Sequence, residues 1–170
     1  DGSPSDFTAR RYLHEAKGGS AIIWFEAISI VPEGRSSATQ LYLCRENLDS
    51  YKRLTQAVKE AGLQVNGFAP YLVMQANHSG RYSNPDNKPA PIIAYRHPEL
   101  EQYRAADDSC IVTDDYLKAL EEKFGEAALL AREAGFDAVD IKSCHGYLLA
   151  ELTSAFTRPG IYGGSYENRT

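Results

Sequence analysis

Cysteine is scarce in this 170-residue chain, which carries only Cys44, Cys110 and Cys144, far apart and without a Cys-x-x-Cys pair. Neither a disulfide scaffold nor a thiolate zinc site is expected, and the cytoplasm is the expected compartment. No apolar run approaches the roughly 20 residues that a membrane-spanning helix needs, so no membrane partner is expected. Lys and Arg number 18 against 23 Asp and Glu, a formal net charge of -5. Without a basic block or basic–aromatic interleaving, nucleic acid is not an expected partner either. Neither a Gly-x-Gly-x-x-Gly turn nor a Walker loop occurs, which argues against dinucleotide-binding and P-loop folds.

What the chain does have is strand–helix alternation. Its 43% hydrophobic content supports one substantial core, hence one domain at most. Residues 7–16 read as a weakly amphipathic helix ended by Gly18-Gly19. The run Ala21-Ile22-Ile23-Trp24-Phe25 reads as a strand buried on both faces, with Glu26 at its end. Asn47 is placed to cap a helix reaching Ala61, with Leu48, Tyr51, Leu54 and Val58 on its apolar face and Gly62 closing it. A second apolar strand over residues 68–74 meets the polar run Gln75-Ala76-Asn77-His78-Ser79-Gly80-Arg81. Residues 82–112 form a long, proline-punctuated excursion, with a helix expected over residues 98–105. Loops of that length are functional or mobile. Thr113, with Asp114 and Asp115 in the first turn, starts a further helix, and Gly135 stops it. Short parallel strands alternating with long helices are the pattern of a βα array.

The stretch from Ala134 to Tyr147 organises the rest. A short strand over residues 137–141 is followed at once by Lys142, Cys144, His145 and Tyr147, with Gly146 giving the backbone room to turn. Polar groups gathered at the carboxyl end of a buried strand are how α/β proteins place catalytic side chains. Two other readings stand beside this one: an ordinary polar loop, and Lys142 turned away to pair with Asp140 or Glu151. Cys144 is expected to point away as a small buried residue.

Downstream lies Tyr162-Gly163-Gly164-Ser165-Tyr166-Glu167-Asn168-Arg169, preceded by Arg158 in a loop. With the His145-Gly146-Tyr147-Leu148 strand end and the Gln75…His78-Ser79-Gly80-Arg81 run, this resembles the old yellow enzyme family of NADH:flavin oxidoreductases. The resemblance implies a TIM (β/α)8 barrel, of which this chain would be an incomplete part, roughly strands two to four with their helices. A complete barrel needs roughly 250 residues, so the chain reads as a fragment, inactive by itself.

The resemblance further implies FMN as cofactor and NADH or NADPH as electron donor, with a small-molecule substrate and a homo-oligomeric assembly. Gln75 would pair with the flavin pyrimidine edge, which an amide suits because it offers a donor beside an acceptor. The strand-end segment of Glu26, Ala27 and Ser29 would approach the flavin ring, Ser29 facing it. Glu26 has a plainer reading as a carboxylate paired with a nearby base. His145 and Lys142 would hold a substrate carbonyl oxygen, and Tyr147 would supply a proton, as in reduction of an activated C=C bond. Lys142 departs from the family pattern, which has histidine there. Amine dehydrogenase or demethylase chemistry, or a non-catalytic half-barrel module, are the alternatives. The excursion over residues 82–112 would form a lid on the substrate side, and His78 and Arg81 would be structural.

Overall fold

The computed structural model describes residues 1–169. Three parallel strands lie in the order β1 (Ile22–Ser29), β2 (Tyr71–Asn77) and β3 (Ala138–Ile141). Helix α1 (Asp6–Lys17) precedes β1, α2 (Leu48–Asn66) joins β1 to β2, and α4 (Asp114–Glu133) leads into β3. Two short helices, α3 (Pro98–Glu101) and α5 (Leu148–Thr153), belong to the connections. The architecture is an incomplete α/β barrel.

One sheet face carries the core. Ile23, Phe25, Ile28, Leu72, Met74 and Ala76 are buried there with Tyr51, Leu54 and Val58 of α2. The Phe25 ring stacks on Tyr12 at 3.8 Å between centroids and meets the edge of Phe136 at 4.8 Å. The opposite face is open: Ile22, Trp24 and Tyr71 are 61%, 56% and 49% exposed. In a closed barrel that face is the packed interior.

Several elements differ in length from the sequence expectation. α2 runs through Gly62 to Asn66, and Gly67, at φ 80°, ends it. Gly62 is a packing residue, because a Cβ there would lie 2.6 Å from Pro70 Cδ. Asn47 makes no cap bond to α2; it accepts from the Cys44 amide and donates to the Tyr42 carbonyl. β2 begins three residues later than expected and takes Gln75 and Asn77 into the ladder. The helix expected over residues 98–105 is one turn, α3. Gly135, at φ 92°, terminates α4 beside the Thr55 hydroxyl, which donates to the Ala134 carbonyl.

Beyond the strands, a buried ion pair ties the loops together. Arg81 Nε lies 2.5 Å from Glu151 Oε1, the two side chains being 1% and 4% exposed. The Ala94 amide donates to Glu151 Oε2, and Arg81 Nη2 donates to the Tyr95 carbonyl. Burial pushes the Glu151 carboxyl up, and the Ala94 amide and Arg81 oppose that shift. Removing one member of a buried pair leaves an uncompensated charge, at a cost of about 3–5 kcal/mol. Glu151→Ala is therefore expected to lower stability by about that much, read as a lower urea midpoint at unchanged slope. A loss below about 1 kcal/mol, the value of an exposed pair, would contradict this.

Candidate active site

The candidate residues sit at the carboxyl ends of the strands because the β-ladder delivers them there. The Lys142 amide donates to the Ala76 carbonyl, continuing the β2–β3 pairing one residue past β3. His145 and Gly146 then both take left-handed conformations, φ 61° and 65°, reversing the chain so that Tyr147 caps α5. For a histidine that conformation is uncommon. The reversal brings Lys142 Nζ to 4.9 Å from the Tyr147 ring centroid and the His145 ring to 6.1 Å.

Lys142 pairs with neither carboxylate considered for it. Asp140 accepts from Gln75 Nε2 at 2.8 Å, and Glu151 is held by Arg81. Tyr147 is half-buried, its hydroxyl has no hydrogen-bond partner among the described residues, and burial raises its phenol, aided by Cys144 and Tyr82. Cys144, expected to be buried, is exposed, with Sγ 3.0 Å from His145 Nδ1.

The β1 end is shaped by a bulge. Trp24 pairs with Val73 but Ala27 with Gln75, so an extra residue is accommodated between them, and Ala27 and Ser29 come level with Gln75 and Asn77. Glu26 is set aside by the bulge and pairs with Arg11 of α1, while its amide donates to Tyr12 Oη at 2.7 Å. Ser29 is fully buried and its hydroxyl donates to the Val31 carbonyl at 2.7 Å. The Ala27 carbonyl accepts from Gln40 Nε2. Gln75 is half-buried, and its amide oxygen makes no hydrogen bond among the described residues. The structure thus gathers Lys142, His145 and Tyr147, sets Gln75 beside Ala27 in the register, and turns Glu26 toward α1.

Tyr82 is a neighbour that the sequence reading did not single out. Its ring lies 5.7 Å from that of Tyr147, and the Arg104 guanidinium stands over the Tyr82 ring, 5.5 Å from its centroid. The available signal was its position directly after Arg81, in the turn that follows the Gln75 strand end.

His78, just past β2, is 1% exposed. The Gly80 amide donates to Nδ1, which leaves the proton on Nε2 to be donated to Tyr116 Oη, 2.9 Å away. Tyr116 in turn donates to Glu33 Oε1. Among the described residues no group of side chains has the makings of a metal site, and no helix is long and apolar enough to cross a membrane.

A parallel βα array with a tyrosine, a histidine and a lysine at its strand ends has the plan of a barrel enzyme. The family model described as "NADH:flavin oxidoreductase / NADH oxidase family" matches residues 1–170, and the chain belongs to that family. It is 32% identical over 171 residues to an NADPH dehydrogenase of Halalkalibacterium halodurans, covering 99% of this chain and 47% of the relative. An NADPH dehydrogenase of Bacillus subtilis is 30% identical over 172 residues, with the same coverage of each. The chain thus spans about half the length of these relatives. Among solved structures, a 2-naphthoyl-CoA reductase in complex with 2-naphthoyl-CoA superposes with a TM-score of 0.82 at 19% identity. That match covers 99% of this chain and 27% of the other, and it concerns the fold.

Burial lowers the His78 pKa from 6.5 to about 4. Between those values the unfolded chain binds more protons than the folded one. The contribution is therefore complete above about pH 6.5 and lost as pH falls toward 4, on the order of 3 kcal/mol in all. Urea midpoints from pH 7 to 4 are expected to fall more steeply in the parent than in His78→Gln. Parallel slopes would show that His78 does not titrate in this way.

Proposed function

We propose that this protein is an FMN-dependent oxidoreductase that takes hydride from NADH or NADPH and reduces an activated C=C bond. The observation that carries the reading is the convergence of Lys142, His145 and Tyr147 at the β3 end, with the Tyr147 hydroxyl free of hydrogen bonds among the described residues and its pKa raised by burial. Family membership and the NADPH dehydrogenases among the relatives support it.

The residues present fit a flavin ring on the open face. The Gln75 amide oxygen is free of hydrogen bonds among the described residues and its nitrogen donates only to Asp140, so the amide can meet the pyrimidine edge with a donor and an acceptor. Ala27 supplies a small residue on the same face of the neighbouring strand end, whereas Ser29 is fully buried with its hydroxyl on the Val31 carbonyl and presents no side-chain surface to a ring. Glu26 has no part in this contact, because Arg11 holds its carboxylate. Bound FMN supplies the hydride. Lys142 and His145 donate to the substrate carbonyl oxygen as negative charge develops there, the protein's largest contribution to such a step. An ammonium does this as a mobile point charge where the family's histidine is a planar donor. Tyr147 delivers its proton to the α-carbon.

In the full-length protein, Tyr147→Phe is expected to leave flavin reduction by the nicotinamide nearly unchanged. Turnover of an enone should fall by about 10² to 10⁴, the contribution of a positioned general acid. Equal slowing of both half-reactions, or of neither, would remove the role from Tyr147. Lys142→Ala and His145→Ala should each weaken binding of phenols about tenfold or more, since a hydrogen bond to a charged group contributes about 1.5–3 kcal/mol. Loss of the phenol–flavin charge-transfer band reports this. Unchanged phenol affinity in Lys142→Ala would instead make that lysine a bystander.

A further inference from the structure

We propose that the excursion over residues 82–112 carries a binding site for an anionic group of the substrate, a carboxylate or a phosphate ester, formed by Arg104 and Arg81. This rests on the reading of the neighbouring cluster as the reducing site. A cavity of about 250 Å³ opens here, lined by Arg81, Pro89, Pro91, Tyr103, Arg104 and Ala105. It exceeds the roughly 30 Å³ share of a water molecule several-fold and falls short of the roughly 300–1,000 Å³ that takes a whole drug-sized ligand. A substituent fits it; a complete cofactor does not.

Both arginines have capacity to spare. Arg81 is 1% exposed and fixed through Nε to Glu151 and Nη2 to the Tyr95 carbonyl, yet its Nη1 has no partner among the described residues. A buried, unsatisfied guanidinium nitrogen is costly and calls for an acceptor. Glu151 already neutralises Arg81, so the net charge at the cavity comes from Arg104, which pairs with no carboxylate among the described residues. Its guanidinium lies over the Tyr82 ring, a contact that leaves its charge uncompensated. Elsewhere Arg11, Arg45, Lys59, Arg96 and Arg158 all have carboxylate partners.

The cavity also stands at the right place. Arg104 touches Tyr82, and Tyr82 packs on Tyr147, so the anion site lies one aromatic ring from the proposed proton donor. Lys142, on the Tyr147 ring, is a second cation without a carboxylate partner among the described residues. Two cations bracketing the ring pair suit a substrate whose unsaturated carbon skeleton carries a negative charge at one end. Guanidinium pairs with either planar carboxylate or phosphate oxygens.

The test is calorimetric titration of the full-length protein with benzoate, phenyl phosphate and neutral benzamide, in low and high salt. At least one anion is expected to bind tenfold or more tightly than benzamide, and the tighter of the two identifies the group. That preference should shrink with salt and disappear in Arg104→Gln, which removes the unpaired charge and leaves the Arg81–Glu151 pair intact. Equal affinity for all three probes, or an anion preference that survives in Arg104→Gln, would overturn the proposal. A protein that binds no FMN would sink the reductase reading while leaving the titration outcome to be judged separately.

Discussion

The buried Arg81–Glu151 pair is the constraint on which the loop architecture depends. It joins the turn after β2 to α5, and through the Ala94 amide and Tyr95 carbonyl it fixes the middle of the long excursion. Arg158 extends the same network: one nitrogen donates to the Ala94 carbonyl and another to Asp114, at the start of α4. Asp114 also accepts from the Ile161 amide. Connections that would be loose as isolated loops are thereby held against the ends of the strands. An interior ion pair is weak evidence for net stability, because desolvation offsets most of its attraction. Its value here is positional, since a guanidinium with several directed donors selects one arrangement of the carbonyls and carboxylates around it.

Backbone geometry completes what the ion pair begins. Gly80, at φ 58°, approaches the backbone of Leu148 so closely that no Cβ fits between them. That contact, with the Leu148 amide donating to the His78 carbonyl, brings the loop after β2 against the N-terminus of α5. Tyr147 caps that helix, so its position follows from a glycine in a different loop. The left-handed conformation of His145 has a related origin. The chain must turn from the end of β3 into α5 within a few residues, and His145 and Gly146 take up the turn together.

Much of this was legible in the sequence, for identifiable reasons. Apolar runs and helix periodicity located the strands and helices, because burial against a sheet imposes those patterns directly. Thr113 and Gly135 act as read, one by accepting from the Tyr116 amide and the other by its positive φ. Gly62 misled because glycine has two uses, ending a helix or letting another segment come close, and only Pro70, folded against it, tells them apart. Asn47 stands at the N-cap position as read, but its side chain serves the turn before α2, where the Cys44 amide takes it. The β1 bulge leaves no mark in the apolar pattern, so the turning of Glu26 toward Arg11 could be offered only as one of two readings. The neighbourhood of Tyr82, Arg104 and Tyr147 brings together residues distant in sequence and has no periodic signature.

The electrostatics at Tyr147 bear on whether it would serve as an acid or as a base. Lys142 over the ring favours the phenolate, whereas burial and the neighbouring Cys144 and Tyr82 favour the phenol. The net direction is upward: burial, with Cys144 and Tyr82, holds the phenol above its ordinary value of 10. At neutral pH the side chain carries its proton, as a donor to a carbanionic carbon requires. In the proposed donor role, the same lysine beside the ring would stabilise the phenolate that proton release leaves. With the hydroxyl free of any partner among the described residues, the proton has nowhere within the protein to be shared. Position, protonation state and the nearby positive charge are thus all compatible with the proposed donor role of Tyr147.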